Sequence, residues 1–339
     1  MISIVIPTHN PGHKLERLLQ SIAESGVEEK EIIVVDDSSS QCLKETASRF
    51  PIRIARTPRQ SGPATARNLG ARLAGGDILL FLDDDVVMEP DALREVERFF
   101  EAHPDRHAMI GVYSSEPVNR GLLPRYKALQ CFSFYQNHDE ISAVSLLWAA
   151  KTAIRRELFL SLGGFDESFA RPSMEDLELG RRITKQTPIY LNRRVVVRHE
   201  FPSTLRRNMK DHFDRGSLWV RLFFRHKRFD NYLHTRRRGF SRLAAFASVP
   251  AFLASAFYPP AAIAGAALLL AYLAANADFW ILVLKRRPRD FFPFLGIDYV
   301  LGITLGLAAL RAGSAELLGR VVPGLAPDVD SPVVPIRDK

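Results

Sequence analysis

Short apolar runs alternate with amphipathic segments over the first 82 residues. The runs are rich in β-branched side chains and occupy residues 2–6, 31–35, 52–55 and 77–82. Such runs predict strands, and the segments between them, which begin near residues 12, 41 and 62, have the spacing of amphipathic helices. Because strands alternate with helices, the pattern predicts an α/β fold whose sheet is mainly parallel and flanked by helices.

A long apolar region follows in the second half of the chain. Between residues 243 and 284 the only ionisable side chains are two tyrosines and Asp278. These 42 residues are too many for one membrane-spanning helix and about right for two. Pro259 and Pro260 would break a helix and mark the turn between two arms. The first arm, residues 243–258, is short and also fits a re-entrant or interfacial helix.

A further apolar run at residues 291–310 is about one span long and includes Asp298. The pattern therefore predicts a membrane-associated helical region at residues 243–313, with two or three spans. The polar, proline-containing tail at residues 314–339 is expected to be disordered.

The basic charge is concentrated in one stretch. The formal net charge is +8, and residues 193–242 contain 15 Lys or Arg against four acids. Within residues 202–242 apolar side chains recur near helical spacing between these cations, which is typical of a helix on an anionic membrane surface. A solvated helix that packs on the first domain has the same pattern. No recognised nucleic-acid-binding motif accompanies the charge, so we expect no nucleic acid partner.

Basic residues on both sides of the apolar region predict its orientation. They are Arg236, Arg237, Arg238 and Arg242 before it, and Lys285, Arg286, Arg287 and Arg289 after it. Such residues favour the cytoplasmic side of a membrane. The first residues have no basic leader, and the two cysteines lack a CxxC spacing, which suits a reducing compartment. We expect a multi-pass protein of the cytoplasmic (inner) membrane whose first domain faces the cytoplasm.

Three consecutive carboxylates, Asp83, Asp84 and Asp85, follow the apolar run at residues 77–82. Like charges at this spacing repel one another, and partial burial adds to the cost, so the cluster calls for a cation, a bound hydroxyl or a proton. In open parallel sheets, ligands bind beyond the carboxyl ends of the strands. An acidic strand end that caps the next helix, near residue 90, is the alternative.

The polar residues at these strand ends predict a ligand-binding crevice. The usual phosphate-binding loops are absent from it. Neither GxGxxG nor GxxxxGK[ST] occurs in the chain. A diphosphate ligand would then need another counter-charge. A divalent metal on the aspartate cluster supplies it, and oxygen ligands suit Mg²⁺ or Mn²⁺.

Six motifs in order carry a family resemblance: VIPTHN, IIVVDDSSS, GPATARNLGA, DILLFLDDDV, GGFDESF and MEDLELGRR. Together they resemble glycosyltransferase family 2, a large inverting family whose domain has the Rossmann-like GT-A fold. The resemblance covers residues 1–201. It implies transfer of a sugar from a nucleotide-diphosphate sugar to an acceptor hydroxyl or phosphate. The QxxRW motif of processive members is absent from the chain, so we expect one sugar per turnover.

The resemblance also implies a set of ligand-binding residues. It assigns the nucleotide sugar to Pro7, Thr8, Asp36, Asp37, Arg67, Asp83, Asp84 and Arg182, and a Mn²⁺ or Mg²⁺ ion to Asp83, Asp85 and His199. Several of these positions have a structural alternative. Asp36 and Asp37 fit an Asx turn, Arg67 and Arg182 fit ordinary helix arginines, and His199 fits a packing residue.

Inverting transfer needs one base that takes the acceptor proton. The resemblance places this base in the acidic pair at the start of a helix, so we assign the role to Asp176, with Glu175 as the alternative. An acidic pair in the first helical turn also complements the helix dipole without any catalytic role.

The expected location indicates the kind of acceptor. A glycosyltransferase at a membrane suits a lipid-linked or glycan acceptor, and the apolar region could hold a lipid chain or act only as an anchor.

Two rival functions stay open. Asp83, Asp85 and Val87 fit the DxDxV motif of haloacid-dehalogenase-like phosphatases, although the motif follows the fourth strand and no second acidic GDxxxD loop occurs. A non-catalytic, membrane-bound nucleotide-binding module is the other.

Overall fold

The computed structural model describes residues 1–40, 42–169, 174–226 and 236–317. Its strands are β1 (Ile2–Thr8), β2 (Lys30–Asp36), β3 (Arg53–Arg56), β4 (Ile78–Leu82), β5 (Val86–Met88), β6 (Ala108–Tyr113), β7 (Ile141–Val144), β8 (Lys151–Arg155) and β9 (Ile189–His199). Its α-helices are α1 (Lys14–Ala23), α2 (Lys44–Arg49), α3 (Pro63–Leu73), α4 (Ala92–Ala102), α5 (Leu122–Ser133), α6 (Arg156–Ser161), α7 (Glu175–Thr184), α8 (Leu205–His226), α9 (Arg236–Ala254), α10 (Ala261–Ala275), α11 (Ala277–Arg286) and α12 (Phe291–Leu317).

The described residues form two compact units. The first unit consists of residues 1–118 and 135–200, and the second contains residues 119–134 and the described residues between 201 and 317. The sequence pattern puts the end of the first domain at residue 201, whereas the segment 119–134 groups with the second unit. Apart from its first four residues, the tail predicted to be disordered lies outside the described residues.

The first unit is built on one mixed sheet with the order β3-β2-β1-β4-β8-β6-β9-β5, and β7 also pairs with β9. The neighbours β3, β2, β1 and β4 are parallel, as predicted. From β8 onward the pairing is largely antiparallel, because β8 runs against both β4 and β6. All neighbouring strands are therefore parallel only in the half of the sheet that the apolar runs predicted, whereas in the other half only β6 and β9 pair in parallel.

Burial on both faces explains why these strands could be read from the sequence. Every residue of β1 is buried, and so are the last five residues of β2 and the last four of β4. Helices cover both faces of such strands, which therefore appear as nearly continuous apolar runs. Because β1 pairs in parallel with β2 and β4, the polar residues that follow the three strands lie at one edge of the sheet.

The second unit is helical and has its own apolar core. That core includes Tyr126, Leu129, Ala244, Ala245, Tyr272, Trp280, Leu282, Val283, Phe294 and Leu301. Tyr126 and Leu129 come from α5, which explains why residues 119–134 belong with the later helices. A polar network crosses this core: Asp298 of α12 accepts hydrogen bonds from Arg242 at 2.6 Å and Tyr272 at 2.6 Å, and also from Tyr126.

Within the described chain, one helix has the length and apolar composition of a membrane span, at Pro288–Ser314. The helices α10 and α11 meet that test only as a pair, and they are bent by 67° at the break between them. The helix α9, which contains Pro250, does not meet the test. The described chain therefore has one candidate span, or two if the bent pair counts as one span. A third span has no support there, and the predicted multi-pass location in the inner membrane is not supported. Pro259 and Pro260 do separate two helices, since α9 ends at Ala254 and α10 begins at Ala261.

Candidate functional site

The acidic triplet lies in a tight connection between β4 and β5. Asp83 to Asp85 follow the end of β4, and β5 begins at the next residue, with its Val86 N–H directed to the carbonyl oxygen of Asp83 at 3.3 Å. The strand β5 runs antiparallel to β9, with Val86 opposite His199. This register places His199 beside Asp85, although 114 positions separate them in the sequence.

Arg67 joins two parts of the site. Its Nη2 donates to Asp83 Oδ1 at 2.7 Å, and its Nη1 donates to Glu175 Oε1 at 3.0 Å. Its guanidinium also lies over the ring of Phe165, 5.3 Å from the centroid. Burial by itself lowers the pKa of Arg67, but the charges of Asp83 and Glu175 outweigh it and hold this pKa above its ordinary value.

Asp84 points back toward the end of β1, where Thr8 Oγ1 donates a hydrogen bond to Asp84 Oδ2. Burial raises the pKa of Asp84 to about 6, and the charges of Asp85 and Asp83 add to the rise, whereas the Thr8 hydroxyl opposes it. A carboxyl with this pKa changes its protonation near neutral pH. Thr8 is itself buried, and Pro7 precedes it within β1.

Asp85 and His199 form the part of the site best suited to a cation. His199 Nε2 lies 3.4 Å from Asp85 Oδ1, and in the described part of the chain this buried oxygen accepts no hydrogen bond. Burial raises the pKa of Asp85, while His199 opposes the rise. An unsatisfied carboxylate oxygen beside an imidazole nitrogen fits a divalent metal. Across the described ranges, however, no group of three His, Cys, Asp or Glu side chains has the arrangement of a metal site.

The third predicted metal ligand, Asp83, is turned toward Arg67 through its Oδ1. Its place beside Asp85 in the sequence keeps it at the same edge of the sheet. A metal held by Asp83, Asp85 and His199 together remains a prediction, and its strongest support is the pair formed by Asp85 and His199.

Asp36 and Asp37 already bind protein donors. Asp36 accepts from the Ser39 N–H at 2.8 Å and forms an ion pair with Arg56 at 3.1 Å. Asp37 accepts from Thr57 Oγ1 at 2.8 Å and from the N–H groups of Ser61 at 2.9 Å and Gly62 at 2.8 Å. Asp37 thus ties the end of β2 to the loop before α3. Gly62 has φ +92°, a conformation that favours glycine.

The helix α7 begins with the acidic pair predicted to contain the base. Glu175 is buried and bound to Arg67, whereas Asp176 is half-buried and accepts the N–H of Leu177 at 2.8 Å. The two neighbouring carboxylates therefore have different surroundings, and Asp176 is the more accessible one.

Arg182, on the same helix, holds a turn of the protein. It donates to Glu178 at 2.7 and 2.6 Å and to the carbonyl oxygens of Leu162 at 2.5 Å and Gly164 at 2.6 Å. These contacts include the ion pair with Glu178 that its spacing allowed as an alternative. They fasten α7 to the loop that contains the GGFDE motif.

Sequence reasoning missed Asn68, which lies next to Arg67 and fastens the same loop. Its Nδ2 donates to the Phe165 carbonyl oxygen at 2.8 Å and to Glu167 Oε1 at 2.9 Å, and its Oδ1 accepts the Phe165 N–H at 2.9 Å. Glu200, which follows His199, was missed as well. It binds Arg17, and Lys14 lies 3.3 Å away, while its N–H donates to the Asp85 carbonyl oxygen at 2.9 Å. Asn68 lies inside the GPATARNLGA motif, and Glu200 directly follows the predicted metal ligand His199, which was the available signal.

Comparison with known proteins gives consistent matches. Residues 3–163 match the family described as Glycosyl transferase family 2. An uncharacterized glycosyltransferase of Haemophilus influenzae is 31% identical over 202 residues, which cover 57% of this chain and 66% of that protein. The validoxylamine A glucosyltransferase of Streptomyces hygroscopicus subsp. jinggangensis is 26% identical over 215 residues, covering 54% of this chain and 51% of that protein. The matches thus span about half to two thirds of these relatives' lengths.

Among solved structures, the mannosyltransferase PcManGT from Pyrobaculum calidifontis, in complex with GDP-Man and Mn²⁺, matches with a TM-score of 0.55 and 18% identity. The match covers 94% of this chain and 88% of that chain. At this identity the likeness shows the fold, which is the GT-A type expected from the motifs.

Proposed function

Because the chain belongs to glycosyltransferase family 2 through residues 3–163, we propose that it moves one sugar from a nucleotide-diphosphate sugar to an acceptor, with inversion at the anomeric carbon. The observation that carries this proposal is the junction made by Arg67, which binds both the acidic triplet and the helix start that contains Asp176. Sugar transfer needs the carboxylates that bind the donor and the base that activates the acceptor to lie side by side.

The donor side of the reaction is assigned to the end of β4. Asp85 and His199, with Asp83, would hold a Mn²⁺ or Mg²⁺ ion, and the cation would offset the charge of the departing diphosphate. The nucleotide is assigned to the polar edge of the sheet near Pro7, Thr8, Asp36 and Asp37, with Arg67, Asp84 and Arg182 as further donor-side residues. The Mn²⁺ bound in the mannosyltransferase of the same fold is consistent with this metal.

The acceptor side is assigned to α7. Asp176 takes the proton of the acceptor hydroxyl as that oxygen attacks the sugar. The accessibility of Asp176 supports this choice over Glu175, because the Glu175 carboxylate is buried against Arg67. Arg67 thus holds Glu175 in place through an ion pair, and Asp176 is the more accessible of the two carboxylates.

The acceptor itself is proposed to be lipid-linked or a glycan, and the protein is proposed to work at the cytoplasmic face of a membrane. The apolar helix at Pro288–Ser314 and the basic stretch that precedes the C-terminal helices support this location. No nucleic acid takes part in the reaction.

Donor binding tests the proposal directly. Detergent-purified protein is titrated with UDP, GDP and dTDP sugars, with and without Mn²⁺, and donor hydrolysis is followed in the same samples. We expect metal-dependent binding and slow hydrolysis of one donor. Asp85→Asn should abolish both, whereas Asp77→Asn, an exposed acid at the start of the same apolar run, should change neither.

Three outcomes would count against the proposal. Metal-dependent donor binding by Asp85→Asn at the wild-type level would contradict the metal assignment. Release of inorganic phosphate from phosphomonoesters, with no donor bound, would favour the dehalogenase-like phosphatase, which the family membership does not support. Donor binding without hydrolysis or transfer to any acceptor tested would favour a non-catalytic module.

A further inference from the structure

The turn between α9 and α10 exposes large apolar side chains. Phe257 is 93% exposed, Ile263 74%, Leu253 69% and Tyr258 65%. Soluble proteins seldom leave so many adjacent large apolar groups in water, and such patches mark sites of interaction with lipid or protein.

The core of the second unit contains a cluster of charged and hydroxyl groups, in which the buried Asp298 binds Arg242, Tyr126 and Tyr272. The unit also turns large apolar side chains outward, among them Leu243, Phe252, Leu270, Ile281, Leu284, Phe292, Leu307 and Leu310. Polar groups that face the bundle interior, with apolar groups outside, are typical of helices surrounded by lipid.

Charge is also graded along the pair formed by α9 and α10. At the base, where α9 begins and α10 ends, Arg237 donates to the carbonyl oxygen of Ala275 at 2.8 Å and to Asp278 at 2.5 Å. Between residues 243 and 277, which include the whole turn, no Asp, Glu, Lys or Arg occurs. Exposed cations return just beyond, at Lys285 and Arg289. The charged end of the helix pair is therefore fitted to contact anionic lipid headgroups, and the uncharged turn is fitted to contact acyl chains.

We propose that the α9–α10 turn, residues 253–263, inserts into one leaflet of an anionic bilayer and returns without crossing it. The 15 residues of α10 extend about 22 Å at 1.5 Å per residue. The hydrocarbon core of a bilayer is about 30 Å thick. The arm formed by α10 is thus long enough to bury the turn and too short to bring it out on the far side. Exposed large apolar side chains occur on each of the helices α9 to α12, which favours lipid over one protein partner.

A fluorescent label at the turn tests the insertion. Phe257→Cys is made in the otherwise cysteine-free protein (Cys42→Ser, Cys131→Ala), labelled with an environment-sensitive dye and reconstituted into vesicles of phosphatidylcholine with phosphatidylglycerol. We expect a blue shift, quenching by lipids brominated along the acyl chain, and protection from aqueous iodide. The same dye at Ile54→Cys, an exposed apolar position on β3, should show none of these effects.

A partition measurement supplies the second readout. Phe257→Glu should lower flotation with these vesicles about tenfold or more, because a charge replaces a large apolar side chain in the hydrocarbon. Ile54→Glu should leave flotation unchanged. Folding of each variant is checked by circular dichroism, and binding of the donor is measured alongside, so that failure of this proposal and failure of the proposed function can be told apart.

Three results would overturn the proposal. A dye at position 257 that stays accessible to iodide in the vesicles would show that the turn remains in water. Protection without any lipid, together with a dimer in sedimentation, would show that a second copy covers the turn. Reaction of Phe257→Cys with an impermeant thiol reagent enclosed on the opposite side of the bilayer would show that the turn crosses it.

Discussion

Arg67 binds Asp83 through one nitrogen at 2.7 Å and Glu175 through another at 3.0 Å, so one buried cation joins the end of β4 to the start of α7. The two acids come from motifs that are distant in the sequence. Their common partner makes the acidic triplet and the acidic pair of α7 parts of one site.

Arg67→Met should destabilise the protein by about 3 to 5 kcal/mol, because it leaves Glu175 buried without its cation. Arg72→Met, on the exposed side of the same helix, should change stability by less than about 1 kcal/mol. Urea unfolding measures both. The double variant Arg67→Met with Glu175→Gln should recover part of the loss, and equal stability of Arg67→Met and Arg72→Met would refute the structural role.

Asp84 should make stability depend on pH in metal-free buffer. Its folded pKa of about 6 lies above the ordinary value of 3.8, so the native state holds a proton that the unfolded state has lost between these pH values. Stability from this group is therefore complete below about pH 4 and is lost as the pH rises through 6. Relative to Asp84→Asn, the wild-type free energy of unfolding should fall by up to about 3 kcal/mol between pH 4 and pH 7.

The measurement is urea unfolding of both proteins across this pH range with a chelator present. Asp77→Asn, whose carboxylate is exposed, serves as the control and should give a curve parallel to that of the wild type. If the free energies of unfolding of the wild type and Asp84→Asn changed with pH in the same way, Asp84 would titrate as an ordinary carboxyl.

Asp37→Ala should cost about 3 kcal/mol without any ligand, because it leaves the N–H groups of Ser61 and Gly62 and the Thr57 hydroxyl without their acceptor. Asp105→Ala, at an exposed position, should change stability little. Thermal unfolding of the two variants compares them. Unchanged stability of Asp37→Ala, with weaker donor binding, would instead favour a role in binding the nucleotide alone.

Asp176→Asn should keep donor binding and lose turnover by a factor of about 10² to 10⁴, as expected when a general base is removed. Glu175→Gln should lower stability as well, because it weakens the partner of Arg67. Steady-state transfer and donor titration separate the two effects. Loss of donor binding in Asp176→Asn would mean that the base is assigned to the wrong residue.

Asp298→Ala should destabilise the second unit by about 3 to 5 kcal/mol, since Arg242 would remain buried without its anion. Asp278→Ala removes an exposed ion pair with Arg237 and should cost less than about 1 kcal/mol. Hydrogen exchange of α5 and α10, which contribute Tyr126 and Tyr272 to the network, reports the loss locally. Equal protection of α5 and α10 from hydrogen exchange in the two variants would show that the network does not hold these helices together.

The predictable part of the fold is the half of the sheet whose strands are buried on both faces. The runs that form β1, β2 and β4 are apolar throughout, so their positions and parallel order could be read directly. The other half could not, because the antiparallel pairing of β8 with β4, which runs from Ile78 with Arg155 to Leu82 with Lys151, joins segments that are far apart in the sequence. The apolar composition of residues 243–284 was equally plain, but composition does not show that a 67° bend divides α10 from α11.

Local apolar patterning was enough to predict that carboxylates gather at the end of a buried strand, because the strand positions and the place of Asp83 to Asp85 follow from it. The differences between those carboxylates, in contrast, arise from contacts between distant parts of the chain. Arg67 binds Glu175, which lies 108 positions later in the sequence. Asp37 accepts a hydrogen bond from the loop before α3, and Asp85 lies beside His199. The charge and accessibility of an acid depend on which partners the folded chain brings within a few ångströms, and that distance is not a local property of the sequence.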